Sequence, residues 1–212
     1  MPDATHGPRT HAELREWFGD LDIYLFDQLL KGRLAPGMRV LDAGCGGGRN
    51  LVFLLRSGYD VCAVDQSGEA VARVRSLAAA LAPRLPADNF RVERVEGMSF
   101  DGDGFDFVIS SAVLHFARDE AHWQAMLREM WRVLRRGGIL FARLASSIGI
   151  EGRVERLEGR RHRLPDGSDR FLVDEPMLLA AAASLGGEML DPLKTTVVQD
   201  MRSMSTWCLR KT

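Results

Sequence analysis

The segment from Val40 to Asn50, Val-Leu-Asp-Ala-Gly-Cys-Gly-Gly-Gly-Arg-Asn, leads from an apolar run into an expected helix through Gly44, Gly46, Gly47 and Gly48. Glycine backbones accept positive φ and let a ligand approach where a Cβ would block it. The first amides of a helix point outward without intrahelical partners and carry a partial positive charge, so such a turn offers an anion site. Asp65 ends the next apolar run, about twenty residues after the first glycine, where an acid can accept hydrogen bonds from two ribose hydroxyls. The residues together describe a site for a nucleoside that carries an anionic group.

A dinucleotide turn reads Gly-x-Gly-x-x-Gly, its third glycine allowing close packing of helix on strand. Here Arg49 holds that third place, and Asp42 stands two residues before the glycines. The pattern Leu41-Asp42-x-Gly44-Cys45-Gly46-x-Gly48 instead resembles motif I of class I S-adenosylmethionine-dependent methyltransferases, in which the anion is the methionine carboxylate.

The elements around the turn alternate. Residues 1–10 read as a disordered tail, and 11–31 as a helical lead-in with Leu14, Trp17, Phe18, Leu21, Tyr24, Leu25 and Phe26 on one side. Strands are expected at 39–42, 61–65, near 90–95, at 105–110 and at 139–144, with helices at 49–57, 68–81 and 120–134 between them. Pro83 stops the second of these helices, and Arg135-Arg136-Gly137-Gly138 gives the third a basic, glycine-capped end. Such alternation predicts an α/β fold, a doubly wound Rossmann-like sheet with ligands at the carboxyl ends of parallel strands. Residues 146–174 are polar and glycine-bearing, with a hairpin turn expected at Pro165-Asp166-Gly167. A helix at 175–184 and two β-like runs, 193–198 and 203–209, follow.

The chain has 212 residues, 46% of them hydrophobic, and a formal net charge of −1. That is one substantial domain without the positive field that would hold a nucleic acid. Cys45, Cys62 and Cys208 match neither a disulfide framework nor a metal-ligand spacing, and no stretch approaches a membrane span. The expected protein is cytoplasmic, with reduced thiols, no metal and no membrane partner; its oligomeric state is open.

Several further segments extend the methyltransferase resemblance over residues 38–212. Val64-Asp65 resembles the acidic end of the second strand, Phe105–Ser110 the fourth-strand motif, and Leu134–Gly138 the approach to the fifth. The resemblance implies a seven-stranded sheet, mostly parallel, with an antiparallel C-terminal hairpin. It divides the chain into a tail and lid helix, 1–37, and a methyltransferase domain, 38–212, whose residues 146–174 form a substrate-side insertion. Gly48-Arg49-Asn50-Leu51 with Ser57–Val61 narrows it toward bacterial tellurite-resistance and related small-molecule enzymes.

Carried over residue by residue, the resemblance places Asp42, Gly44, Cys45 and Gly46 around the methionine moiety, with Arg49 and Asn50 at the helix start. Asp65, with Gln66 beside it, would hold the ribose. Cys45 is a small backbone contact rather than a nucleophile. Glu96 or a neighbouring amide would meet the adenine amino edge, with Gly97 and Met98 offering backbone contacts and an apolar wall. Ser110 and Ser111 would touch the cofactor. His115, whose unperturbed pKa suits proton removal near neutrality, is the candidate general base, with a packing role as the alternative. No Asn-Pro-Pro-Tyr-type sequence follows the fourth strand, which weakens nucleic-acid and protein amino-group acceptors.

The implied cofactor is S-adenosyl-L-methionine, converted to S-adenosyl-L-homocysteine, and the implied partner a small-molecule acceptor. Tyr24, Arg143 and Arg202 are the candidates for touching that acceptor. Seven arginines in and beside the insertion are largely offset by five acids, which describes a solvated hairpin rather than an oxyanion site. The rival readings are a cofactor-binding sensor or partner subunit without turnover, and an NAD-dependent oxidoreductase.

Overall fold

A computed structural model of the chain describes residue 7 and residues 10–212. The expected tail at 1–10 lies outside the described residues apart from Gly7 and Thr10. In place of one lead-in helix there are two, α1 (His11–Phe18) and α2 (Ile23–Leu30). The break is local in origin. Gly19, at φ 63°, closes α1 as its amide donates to the Arg15 carbonyl at 2.8 Å. The Asp22 carboxylate then opens α2 by accepting from the Tyr24 amide at 2.9 Å.

The main sheet starts with β1 (Arg39–Ala43) and β2 (Asp60–Asp65), connected through the glycine turn and α3 (Val52–Arg56). α3 is shorter than the helix expected at 49–57, because Arg49, Asn50 and Leu51 remain in turns, with the Leu51 amide donating to the Gly48 carbonyl at 3.0 Å. α4 (Gly68–Leu81) keeps its expected bounds, its first turn capped by the Ser67 hydroxyl on the Ala70 amide at 3.3 Å. β3 (Phe90–Val92), β4 (Phe105–Ser111), α5 (Glu120–Val133) and β5 (Leu134–Ala145) follow.

The Arg135–Gly138 segment does not cap α5; it lies inside β5, where the register against β4 is irregular. The helix can end without a glycine because other groups take its last carbonyls. Lys211 Nζ donates to the Trp131 and Leu134 carbonyls at 2.8 and 2.6 Å, and the Gly104 amide to the Val133 carbonyl at 2.8 Å.

Past β5, β6 (Glu155–Glu158), β7 (Arg161–Arg163) and β8 (Asp169–Phe171) form a separate antiparallel sheet, with the β7–β8 hairpin turning through the expected Pro-Asp-Gly. α6 (Glu175–Leu185), β9 (Gly187–Met189), β10 (Lys194–Val198) and β11 (Arg202–Lys211) complete the chain. The strand order is β10-β11-β5-β4-β1-β2-β3, with β9 as an additional short strand beside β11. β5, β4, β1, β2 and β3 run parallel, and β11 is antiparallel to both β5 and β10. The Rossmann-like sheet with its antiparallel end is thus the architecture, the expected seven strands gaining β9 as an eighth.

Both faces of this sheet are covered, as a parallel sheet requires. Leu41, Val108, Leu140 and Ala142 face a core that contains Trp123 and Met130 of α5, Leu178 of α6, and Trp207. Val40, Phe107, Ile109 and Phe141, their immediate neighbours along the strands, face a second core built on Leu25, Leu54 and Val74 of α2, α3 and α4. Among the described residues, no helix is long and apolar enough to cross a membrane.

Candidate functional site

The chain leaves β1 for β2 on one side, and β4 lies on the other, so the sheet switches direction at β1. Crevices open at the carboxyl ends of strands at such a switch. A cavity of about 610 Å³ occupies this place, lined by Gly44–Gly47, Arg49, Asn50, Asp65 and Gln66 on one side. Arg94–Glu96, Ser111–Val113, Phe116, Arg118, His122 and Met126 complete it.

The glycines of the turn serve two purposes. A Cβ on Gly44, at φ 88°, would lie 2.6 Å from Val113 Cγ2, and one on Gly48 would lie 3.1 Å from Val74 Cγ2, so these two are required by protein packing. A Cβ on Gly46, at φ 51°, would meet nothing within 4 Å; Gly46 and Gly47 face the cavity. Gly46→Ala is therefore expected to lose only about 1 kcal/mol of stability, the left-handed backbone penalty, while filling ligand space. Gly44→Ala adds a clash to a similar penalty and is expected to lose about 2–3 kcal/mol. Urea unfolding of both variants checks the order, and equal losses would contradict it.

Asp65 is held in place from both sides. The Gly46 amide donates to Oδ2 and the Ser67 amide to Oδ1, each at 2.9 Å. Asp42 sits deeper, 1% exposed, with Oδ2 lacking any partner among the described residues. Burial pushes its pKa up to about 7, against the opposing pull of Arg49 and with a further push from Asp65. The Cys45 thiol is pushed well above its ordinary value by burial, then by the Asp42 and Asp65 charges, which makes it an unreactive wall.

Beside the turn, Asp22 gathers four segments. Its Oδ2 lies 3.3 Å from each of Arg49 Nη2, Arg143 Nη1 and Ser111 Oγ, and its amide donates to Asn50 Oδ1 at 3.1 Å. Arg49 Nη2 also donates to Ser111 Oγ at 2.8 Å. The Arg143 guanidinium lies 5.0 Å from the Tyr24 ring centre, and the Tyr24 hydroxyl bonds to Thr196 Oγ1. At the far wall, His122 Nδ1 accepts from the Arg118 amide at 3.1 Å, which leaves the proton on Nε2, 3.2 Å from Glu96 Oε1. That N–H is close to the carboxylate without pointing at it.

Residues 41–142 match the family model described as a methyltransferase domain. This stretch is a methyltransferase domain. An uncharacterized methyltransferase of Synechocystis is 33% identical over 106 residues, which is 50% of this chain and 46% of that protein. The chain therefore spans about half the length of the curated relatives it matches. Among solved structures, 1,6-didemethyltoxoflavin-N1-methyltransferase of Burkholderia thailandensis, with bound 1,6-didemethyltoxoflavin and S-adenosylhomocysteine, superimposes with a TM-score of 0.69 at 21% identity. That match covers 95% of this chain and 83% of the other. TehB of Haemophilus influenzae gives a TM-score of 0.62 at 19% identity over 88% and 62% of the two chains.

The methyltransferase domain brings Gly44, Cys45, Gly46, Arg49, Asn50, Asp65, Gln66, Glu96 and Ser111 to one cavity. Arg49 and Asn50 reach it from the turn, since the helix begins only at Val52. Other expected residues lie elsewhere. Gly97 and Met98 do not line the cavity: the Met98 amide donates to Glu129 Oε1 at 2.9 Å and its side chain is buried in the core. Arg94 and Val95 stand there instead. Asp42 and Ser110 are buried behind the wall, each with a side-chain oxygen that has no partner among the described residues.

His115 is also outside the cavity, and its Nδ1 accepts from the Ala145 amide at 3.2 Å. Burial, with Arg170 and Arg143 adding to it, pushes its pKa down to about 4. Its acceptor nitrogen is occupied and its other nitrogen carries the proton, so in this arrangement the ring offers no free acceptor to the cavity. Arg202 starts β11, exposed, paired with Val198, and does not reach the cavity. Arg143 and Tyr24 stand behind it, joined through Asp22 and the ring contact.

Proposed function

We propose that the chain binds S-adenosylmethionine in the cavity at the β1–β4 switch and transfers its methyl group to a small-molecule acceptor. The observation that carries this reading is Asp65: its carboxylate is aimed at the cavity edge by the Gly46 and Ser67 amides, directly beside a glycine whose missing Cβ leaves the space open. The donor set fits the group. Asp65 and Gln66 suit ribose hydroxyls, Arg49 suits a carboxylate, and Val95, Glu96 and Met126 offer an apolar wall with an acceptor for an amino edge. Tyr24 and Arg143, tied to Asp22, would take their part in placing the acceptor, with residues 1–37 as the lid side and 146–174 as the substrate side.

S-adenosylmethionine supplies an activated methyl group on a positively charged sulfur. The chain's own work is then to hold the donor, orient the acceptor in line and exclude water. The Burkholderia enzyme, with 1,6-didemethyltoxoflavin and S-adenosylhomocysteine bound, supports the small-molecule reading, and a cytoplasmic setting suits it. Asp65→Ala is expected to weaken S-adenosylhomocysteine binding by more than about tenfold, the scale of one charge-assisted hydrogen bond. Calorimetric titration measures it, with circular dichroism to show that the variant is folded. Unchanged affinity in the folded variant, or tight NADH binding by the wild type without binding of S-adenosylhomocysteine, would overturn the reading.

A further inference from the structure

Two cavities share Arg118 in their walls. The cavity at the glycine turn reaches Phe116 and Arg118, and a second cavity of about 640 Å³ beside the three-stranded insertion is walled by Arg118, Arg156 and Arg160 together with Asp119, Glu120, Glu158 and Asp174. Phe116 stands at this junction with 58% of its surface exposed, an unusual state for a phenyl ring in the wall of a cavity. From β8 of the insertion, Arg170 brings its guanidinium to 5.0 Å from the Phe116 ring centre.

The charges of the insertion are paired selectively. Arg160 pairs with Asp174 at 2.9 Å, Arg163 with Asp169 at 3.0 Å, and Arg153 with Asp200 at 3.4 Å. Arg118 and Arg170 have no carboxylate within ion-pair distance among the described residues, and neither do Arg156 and Arg161; Arg170 donates to the carbonyl of Asp169 at 2.8 Å, and its charge acts on Asp166 and Asp169 from farther off. The offset of arginines by acids that composition suggests is thus close at Arg153, Arg160 and Arg163 and looser elsewhere, Arg170 beside Phe116 included.

We propose that the junction of Phe116, Arg118 and Arg170 is the acceptor pocket, and that its substrate is a flat aromatic oxyanion, a phenolate or an aromatic carboxylate. The inference rests on the methyl-donor reading of the neighbouring turn. An exposed ring face gains most from a flat apolar partner, and an unpaired guanidinium from an anion that matches its planar fork. An acceptor that arrives ionised also needs no base, in keeping with His115, whose Nδ1 is taken by the Ala145 amide. The acceptor oxygen uses a lone pair to form the new oxygen–carbon bond as the carbon–sulfur bond breaks with its electrons passing to sulfur. The negative charge of the acceptor and the positive charge of the sulfonium cancel, and no proton leaves.

The test uses the full chain with label in the methyl group of S-adenosylmethionine. The acceptors are phenols and benzoates, neutral amides of the same shape, and aliphatic carboxylates. Transfer is expected to the aromatic oxyanions, with Arg170→Gln raising their KM about tenfold, Arg170→Lys restoring part of it, and S-adenosylhomocysteine affinity unchanged. Phe116→Leu is expected to raise KM for aromatic acceptors through the lost ring contact. Transfer confined to neutral or aliphatic acceptors overturns the proposal. So does a KM rise in Arg170→Gln that is equal for charged and neutral acceptors, or no transfer to any aromatic oxyanion by a wild type that binds S-adenosylhomocysteine. Failure of the wild type to bind S-adenosylhomocysteine overturns the donor reading itself, and this proposal with it.

Discussion

Asp22→Ala is expected to destabilise the protein by about 3 kcal/mol, a large fraction of the stability of a single domain. Two losses combine. The Oδ1 atom caps α2 through the Tyr24 amide, a contact worth about 1 kcal/mol. The Oδ2 atom is the shared acceptor of Arg49, Arg143 and Ser111, and its side chain is only 3% exposed. Removing it leaves two guanidinium groups near one another without their counter-charge. Arg49 is 45% and Arg143 22% exposed, so solvent tempers the penalty and places it at about 2 kcal/mol, below the range for a fully buried pair. Asp22→Asn keeps the cap and loses the charge, and should fall between alanine and wild type. Urea unfolding measures all three. A loss under about 0.5 kcal/mol for alanine would show that the cluster is held by packing alone.

The same residue marks the limit of what could be read from the chain. The glycine turn, Asp65, α4 and the strand alternation were legible because each is written in neighbours: Ser67 before a helix, Pro83 after it, an apolar run before each acid. Asp22 looks like an ordinary turn residue between Leu21 and Ile23, and its partners Arg49, Ser111 and Arg143 are joined only by the fold. A signal was present in Gly19 followed by an aspartate before the apolar run Ile23–Phe26, which marks one helix stop and one helix start.

The adenine-side register went the same way. Glu96 reaches the cavity, but the Met98 amide is captured by Glu129 from α5, a contact that no local pattern announces. Phe116 and Arg118 enter the cavity from the segment that follows β4, and His122 and Met126 from the first turns of α5, so their role depends on tertiary position. His115 shows the reverse case. Its residue type suits a base, and the fold turns its Nδ1 acceptor to the Ala145 amide, away from the cavity.

The sharpest pH effect should come from Asp42. Burial raises its folded-state pKa from an ordinary carboxylate value of 3.8 to about 7. Below about pH 4 both the folded and unfolded chains hold the proton, and the residue has no pH-dependent effect. Between about pH 4 and pH 7 the folded chain keeps a proton that the unfolded chain has released, so the contribution of Asp42 to stability falls as pH rises. The accumulated loss by pH 8 is at most about 4 kcal/mol, at about 1.4 kcal/mol per pH unit. Asp42→Asn cannot ionise and should remove this slope while preserving shape. Relative to wild type, the asparagine variant should gain stability steadily from pH 5 to pH 7 and level off above pH 8. The difference between the two proteins isolates Asp42 from the many surface acids, whose titration is common to both. Parallel stability profiles across this range would mean that the carboxylate is ionised when folded, with the buried Oδ2 compensated by its surroundings.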